Sequence, residues 1–296
     1  MGLDVRSPAC GPEVAPGDAP LEAIAERYAL PLEALDGWTI AVNLTRSGCR
    51  INDAGLRVYA ERLAARAVLQ RATRLVGPLR SATVQVREPL REPYAGELDV
   101  EATLANIAGK PYPEAHDWVG VHREERRQQV VLMVDTSLSM SGENMAIAAV
   151  AAAVLTLKVH PEDLSVVVFE DTARAVTRLH TADPPVEVVR RMLDQPVRGY
   201  TNIRAALELG ATELERGRDP RRTGLLITDG VATVGGDPVP AAHRFPRLFV
   251  LLTEDYKMDA ALCRRLADAG HGDVFPVRTY RDLPRRLLDV ANRVLR

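Results

Sequence analysis

From Val130 onward, short apolar runs alternate with longer segments of helical periodicity. Most of these runs are apolar at consecutive positions, which is typical of strands buried on both faces in a parallel sheet. They are VVLMVD (130–135), LSVVVFE (164–170), GLLITDG (224–230), RLFVLLTED (247–255) and DVFPV (273–277). The intervening segments predict helices at 142–159, 185–195, 202–217 and 258–270, with a last helix at 281–296. This alternation predicts right-handed crossovers and an α/β fold with a doubly wound, mainly parallel sheet and helices on both faces.

The run ARAVTRL (173–179) differs from the others, because it follows the strand-like run 164–170 with almost no connecting sequence. Parallel neighbours need a long crossover, whereas antiparallel neighbours need only a tight turn. This run therefore predicts an antiparallel edge strand.

The first 127 residues have a mixed pattern. Residues 55–76 show helical spacing, with Asn52 or Asp53 available as a cap and Gly77 and Pro78 to end the helix. ATVQVRE (82–88) alternates like a short strand, and 98–110 predicts a second helix. Residues 1–20 hold four prolines and three glycines and predict a flexible tail. The expected organisation is a tail (1–20), a smaller, mostly helical accessory region (21–127) and the α/β domain (128–296).

Charge and cysteine content exclude several classes of protein. Of the 296 residues, 38 are basic and 40 acidic, so neither a nucleic-acid surface nor a membrane surface is predicted. Cys10, Cys49 and Cys263 form no Cys-x-x-Cys pair, which argues against a disulfide framework or a thiolate zinc site. No stretch reaches the roughly 18 continuous apolar residues of a membrane span. A soluble, cytoplasmic protein with reduced thiols is expected.

The candidate chemistry lies where predicted strands end, since ligands of open α/β sheets bind at the carboxyl ends of the strands. Asp135 and Asp229 each end a strand, and Thr201 opens the helix that follows a glycine-containing loop. Oxygen donors without histidine or cysteine select a hard cation, Mg²⁺ with Mn²⁺ as the alternative, over zinc or copper. The five predicted metal-site residues are Asp135, Ser137, Ser139, Thr201 and Asp229.

Three motifs at these positions give a family resemblance. The spacing Asp-x-Ser-x-Ser at 135–139, the threonine before Asn-Ile-x-x-Ala-Leu at 202–207 and Thr-Asp-Gly at 228–230 resemble the metal-ion-dependent adhesion site (MIDAS) of von Willebrand factor type A (VWA) domains. The resemblance covers about residues 128–296. Leu138 and Tyr200 depart from it, because the family usually has glycine there.

The resemblance implies a division of roles among the five residues. Ser137, Ser139 and Thr201 would contact the metal, and Asp135 and Asp229 would act largely through water. The open coordination position would then take an acidic side chain from a protein partner. We therefore expect a non-enzymatic interaction module or adaptor, since no general base is predicted beside the metal.

The region ahead of the metal motifs gives a second, less specific resemblance. GELDVEATLANIAGKP (96–111) and the arginine-rich stretch after it are similar to bacterial cytoplasmic VWA proteins that work with MoxR-type AAA+ ATPases. This resemblance implies that the protein is a co-factor of such an ATPase.

Three alternatives remain open at this stage. The same site could serve a metal-assisted hydrolase. The hydroxyl and carboxyl residues could instead cap helices and turns, each for its own structural reason. The metal site could also be vestigial, with the accessory region as the working scaffold. Asp255, beyond another strand end, either lines the rim of the site or caps the next helix.

Overall fold

A computed structural model describes residues 19–46, 51–77, 83–90, 97–125, 127–137, 140–195, 199–217, 221–253 and 258–294. Among the described residues, three α-helices precede the first strand: α1 (Ala19–Tyr28), α2 (Gly37–Leu44) and α3 (Ala54–Val76). Asp36 caps α2, and Asp53 caps α3 by accepting a hydrogen bond from the Leu56 N–H at 2.6 Å. The predicted start of the long helix is therefore confirmed, whereas α1 and α2 were not predicted as helices.

A small antiparallel sheet follows α3. Its strands are β1 (Thr83–Pro89), β2 (Glu97–Leu98) and β3 (Val119–Glu125), in the order β1-β3-β2, with helix α4 (Val100–Ile107) between β2 and β3. The predicted helix at 98–110 is too long at both ends. Leu98 belongs to β2, because the N–H of Asp99 bonds to the Val119 carbonyl while its side chain caps α4.

The main sheet has six strands in the order β6-β5-β4-β7-β8-β9. Strand β6 pairs antiparallel with β5 at one edge, and the other pairings are parallel, as predicted. The strands are β4 (Gln129–Asp135), β5 (Leu164–Phe169), β6 (Ala173–Thr177), β7 (Arg222–Thr228), β8 (Leu248–Thr253) and β9 (Val274–Val277). The helices among them are α5 (Glu143–Lys158), α6 (Pro185–Leu193), α7 (Ile203–Glu215), α8 (Val239–Ala242), α9 (Ala260–Ala269) and α10 (Leu283–Val294).

Helices cover both faces of this sheet, because alternate residues of a strand point to opposite faces. Leu132 and Val134 of β4 belong to the cluster that contains α5, α6 and α10, and Val131 and Met133 belong to the cluster with α7, α8 and α9. All seven residues of β4 are buried, which explains its continuous apolar sequence. The predicted α/β architecture, with a helical region ahead of it, is confirmed.

The N-terminal helices pack directly on one face of the sheet domain. Ala60, Ala64 and Val68 of α3 are fully buried in the same cluster as the α5 alanines. Small side chains on both helices allow the close approach that buries α5 almost completely. Among the described helices, none combines the length and apolar character needed to cross a bilayer.

Candidate metal centre

The carboxyl ends of the three central strands meet at one edge of the sheet. Asp135, the last residue of β4, is paired with Phe169 of β5, and Val134 is paired with Ile227 of β7. This register brings Asp135 beside Thr228. The loops after β4, β5 and β7 therefore leave the sheet next to one another, as the sequence predicts.

Asp135 is almost fully buried, with 3% of its surface exposed. Its Oδ1 accepts a hydrogen bond from the N–H of Ser137 at 2.8 Å. Its Oδ2 accepts a hydrogen bond from the hydroxyl of Thr228 at 3.2 Å, and Thr228 in turn accepts one from the N–H of Gly230 at 3.1 Å. The carboxylate is thus fixed by the two loops that carry Ser137 and Asp229.

The pKa of Asp135 is raised to about 7, mainly because the carboxyl group is buried and also because the nearby negative charge of Asp229 disfavours its ionisation. The backbone and side-chain hydrogen bonds from Ser137, and the hydroxyl of Thr228, act in the opposite direction because they stabilise the carboxylate. Loss of water and repulsion from Asp229 therefore oppose ionisation of Asp135. A cation bound between the two carboxyl groups would relieve both effects.

The loop after β4 turns alternate side chains in opposite directions. The N–H and the hydroxyl of Thr136 both donate to the carbonyl of Phe169, at 2.9 and 3.0 Å, and Thr136 is fully buried. Ser137, in contrast, faces Asp135, and its carbonyl accepts a hydrogen bond from the N–H of Met140 at 2.9 Å. Thr136 and Ser137 therefore point to opposite sides of the loop, and Leu138 and Ser139 lie outside the described residues.

Thr201 is held between the loop after β5 and the loop after β7. Its N–H donates to the hydroxyl of Thr233 at 2.8 Å, and its carbonyl accepts from the N–H of Thr233 at 2.9 Å. The next residue, Asn202, donates its N–H to the carbonyl of Glu170 at 2.6 Å and caps α7 with its side chain. Thr201 is 5% exposed. These backbone hydrogen bonds therefore tie the start of α7 to the loops after β5 and β7, the two strands on either side of β4.

Asp229 is half-buried and begins the loop after β7. Its Oδ1 accepts a hydrogen bond from the N–H of Val231 at 2.9 Å, and its carbonyl accepts one from the N–H of Asp259 at 3.0 Å. Behind this loop, burial raises the pKa of the Cys263 thiol to about 12, and the charges of Asp259 and Asp229 add to the effect. Cys263 is therefore a neutral packing residue at physiological pH.

The structure joins four of the five predicted residues to this edge. Asp135 and Ser137 are in direct contact, Asp229 lies close enough to Asp135 to affect its pKa, and Thr201 is anchored to the loop that Asp229 begins. Ser139 and Asp255 lie outside the described residues. Thr228 and Thr233, which hold Asp135 and Thr201, were not singled out from the sequence, although the strand register alone places Thr228 beside Asp135.

The residues present fit a hard divalent cation. Among the described residues, no three histidine, cysteine, aspartate or glutamate side chains form a cluster that could hold a metal ion. The edge offers two neighbouring carboxyl groups and hydroxyl-bearing residues instead, which is the ligand chemistry of Mg²⁺ or Mn²⁺. Hydroxyl ligands leave much of the ion's charge available to a further anionic group.

Several solved structures are similar to this chain, each at low identity. The von Willebrand factor type A protein from Catenulispora acidiphila is 17% identical, with a TM-score of 0.47, over 60% of this chain and 45% of that one. The mussel byssus proximal thread matrix protein 1 with a zinc occupied MIDAS motif is 16% identical, with a TM-score of 0.48, over 57% and 48%. BatB from Bacteroides thetaiotaomicron is 17% identical, with a TM-score of 0.46, over 56% and 98%.

This chain thus spans about half the length of the mussel and Catenulispora proteins. The comparison with curated proteins gave no match. A family model described as "VWA domain containing CoxE-like protein" matches residues 69–243, which is more than half of the chain. That match begins within α3 and extends through α8, so it includes Asp135, Thr201 and Asp229. The chain therefore belongs to the family of VWA domain containing CoxE-like proteins.

Proposed function

We propose that this protein is a metal-dependent protein-interaction module that binds an acidic side chain of a partner through a MIDAS-type site. The proposed metal residues are Asp135, Ser137, Ser139, Thr201 and Asp229, with Asp255 at the rim. The observation that carries the proposal is the environment of Asp135. A buried carboxyl group, held at both oxygens and facing a second carboxyl group, is costly unless a cation offsets the charge.

A divalent ion, when bound, supplies concentrated positive charge and a coordination position for an outside carboxylate. The chain's own residues supply the orientation. Thr228 fixes Asp135, and Asp135 in turn fixes the backbone of Ser137. Because the two oxygens of Asp135 already accept hydrogen bonds, an indirect role through water suits it, while the hydroxyl of Ser137 is proposed to meet the metal directly.

Thr201 completes the proposed site from the opposite side. Thr233 holds its backbone by two hydrogen bonds, and the cap formed by Asn202 fixes the start of α7. A preorganised threonine needs little reordering when the metal arrives.

The proposed adaptor is cytoplasmic, and a MoxR-type AAA+ ATPase is its proposed partner. The resemblance of residues 96–111 supports this choice of partner.

Metal binding is tested by thermal unfolding of the purified protein with added Mg²⁺, Mn²⁺ or Zn²⁺. A ligand of the native state must raise the melting temperature in a concentration-dependent manner. Asp135→Ala should abolish this response, whereas Asp289→Ala, on the exposed surface of α10, should leave it intact. A wild-type protein that shows no response to any of the three ions would overturn the proposal.

Partner binding is tested with the purified candidate ATPase in the presence and absence of chelator. Complex formation should require the metal and should be lost in Asp135→Ala while the circular dichroism spectrum is unchanged. Retention of the complex in excess chelator would show that the metal site is not the point of attachment.

A further inference from the structure

An open groove of about 680 Å³ lies between α3 and the beginning of α6, on the helical face of the sheet domain. Its apolar floor is formed by Leu69, which is half-buried, and Val186, which is 44% exposed. The polar residues Gln70 and Thr73 also line the groove. Three arginines, Arg62, Arg66 and Arg74, stand along the α3 side. The groove therefore combines exposed apolar surface with concentrated positive charge.

The spacing of these residues gives the groove a direction. Arg62, Arg66 and Leu69 recur at intervals of four and three, so they lie on one face of α3. Arg62 and Arg74 are separated by a helical rise of about 18 Å. Val58, 42% exposed and one turn before Arg62, continues the apolar surface beyond the groove. The surface is long enough for about three turns of a second helix.

The three groove arginines are unusual within α3, which contains five arginines and one glutamate. Arg57 forms ion pairs with Glu61 and with Asp194, and Arg71 lies 4.0 Å from the centroid of the Trp38 ring. In contrast, the guanidinium groups of Arg62, Arg66 and Arg74 have no ion pair or hydrogen bond with any other residue that the structure describes. Their charges are available to a ligand.

The nearest acidic side chain of α6 does not neutralise the groove. Glu187, next to Val186, accepts hydrogen bonds from Arg190 at 2.9 and 2.8 Å and from Arg191 at 2.9 Å. Hydrogen bonds from Arg190, together with those from Arg191, lower the pKa of Glu187 to about 2. Glu187 is thus committed to its own helix, and the positive potential of the groove remains.

The groove is distinct from the candidate metal centre. Arg57, near the start of α3, pairs with Asp194 at the end of α6, whereas Arg74, near the end of α3, lines the groove with Val186 at the start of α6. The two helices therefore run antiparallel. The groove lies at the other end, beside the start of α6, and none of the residues that line it is one of the proposed metal residues. A ligand in the groove therefore does not need the metal.

We propose that this groove binds an acidic amphipathic helix of a protein partner. Apolar side chains of that helix would cover Leu69 and Val186, and its glutamates or aspartates would pair with the free guanidinium groups. This arrangement buries the apolar floor and places opposite charges at its edge, which is the usual division between the centre and the rim of a protein interface.

The probe is a labelled synthetic helix with leucines along one face and glutamates beside them, studied by fluorescence anisotropy at low salt. Excess chelator is present throughout, so that capture of a glutamate by the metal site cannot contribute. The wild-type protein should bind the probe, and the triple variant Arg62→Gln, Arg66→Gln, Arg74→Gln should bind it about tenfold more weakly. The control Arg264→Gln, Arg285→Gln, Arg286→Gln removes the same charge from exposed sites on α9 and α10.

Two further probes separate a specific groove from a charged surface. Serines in place of the leucines should weaken binding to the wild-type protein, because the apolar floor then has no partner. A short DNA duplex should bind poorly and without dependence on the three groove arginines. Equal binding by the two triple variants, no loss with the serine probe, tight arginine-dependent binding of the duplex, or no binding by the wild-type protein would each overturn the inference.

Discussion

Thr45 and Gly142 exchange hydrogen bonds across the boundary between the N-terminal helices and the metal loop. The Thr45 hydroxyl donates to the carbonyl of Gly142 at 2.8 Å, and the N–H of Gly142 donates to the carbonyl of Thr45 at 3.3 Å. Thr45 ends α2, and Gly142 stands at the end of the loop that begins at Asp135. Gly142 has a φ of 77°, a conformation that favours glycine. These two hydrogen bonds thus attach the end of α2 to the loop between β4 and α5.

We predict that Thr45→Val weakens metal binding about three- to tenfold while the fold is retained. Valine preserves the shape of the side chain but removes the donor, which leaves the buried Gly142 carbonyl without this partner and loosens the end of the loop by about 1 kcal/mol. Calorimetric titration with Mn²⁺ measures the change. Thr212→Val is the matched control, because Thr212 makes a similar bond to the Glu208 carbonyl on the exposed surface of α7. Equal affinity in Thr45→Val and the wild type would contradict this coupling.

A second prediction concerns Asp135→Asn in metal-free protein. The folded-state pKa of Asp135, about 7, exceeds the ordinary value of 3.8, so the folded protein binds this proton more tightly than the unfolded chain. The ionised Asp135 carboxylate therefore destabilises the folded protein. This destabilisation is absent below about pH 4, grows as the pH rises, and is complete above about pH 7. Asparagine should therefore raise the free energy of unfolding at pH 8 by about 1 to 4 kcal/mol and leave it nearly unchanged at pH 4.

Urea unfolding in chelator at the two pH values measures this difference. Added metal should reverse the order, because it stabilises the wild-type protein and not the asparagine variant. If Asp135→Asn is less stable than the wild type at pH 8 without metal, then the Asp135 carboxylate does not destabilise the metal-free fold. That result would contradict the argument that the site needs a cation to offset its charge.

The neighbouring glycines 235 and 236 give a matched pair of substitutions. Both have positive φ, 92° and 76°, so alanine is strained at either position. A Cβ at Gly235 would collide with the side chain of Asn202, whereas a Cβ at Gly236 meets nothing within 4 Å. Gly235→Ala should therefore displace the Asn202 cap beside Thr201 and reduce both stability and metal affinity. Gly236→Ala should cost only about 1 kcal/mol, with affinity unchanged. Calorimetric titration with Mn²⁺ measures the metal affinity of both variants, and equal affinities would contradict this role of Asn202.

Much of the α/β domain was predictable because its signals are local and strong. Continuous apolar runs such as Val130 to Val134 cannot be exposed on either face, so they specify central strands and thereby the edge at which Asp135 emerges. The antiparallel edge position of β6 followed from the short connection after β5, and it is confirmed.

The accessory region was less predictable because its elements depend on tertiary contacts. Helix α2 has only eight residues, and it is stabilised by packing on α3 and by the bond from Thr45 to Gly142, 97 positions away. Strand β3 is charged along half its length, and its pairing with β1 joins residues far apart in sequence. Within the site, Thr233 has no local motif, and only the fold shows that it holds Thr201. The expected boundary at residue 127 stays a prediction.

Glu61 of α3 links the N-terminal helices to the sheet domain. It is 3% exposed and accepts hydrogen bonds from Arg57 at 2.9 Å and from Arg190 of α6 at 2.8 Å. Loss of this carboxylate's charge should lower the stability of the protein, because two guanidinium groups would then lack their negatively charged partner. A substitution at Glu61 therefore tests whether the N-terminal helices and the sheet domain unfold together.

We predict that Glu61→Gln lowers the free energy of unfolding by about 2 to 4 kcal/mol and keeps a single transition. The control Glu208→Gln removes an exposed helical pair with Arg204 and should change stability by less than about 0.5 kcal/mol. Fluorescence of Trp38 and Trp118 reports on the region ahead of β4, and circular dichroism reports on all helices. Coincident urea transitions by both probes are expected, since α3 and α5 share one hydrophobic cluster. Separate transitions, with Glu61→Gln affecting only the fluorescence, would show that the N-terminal region is an independent folding unit.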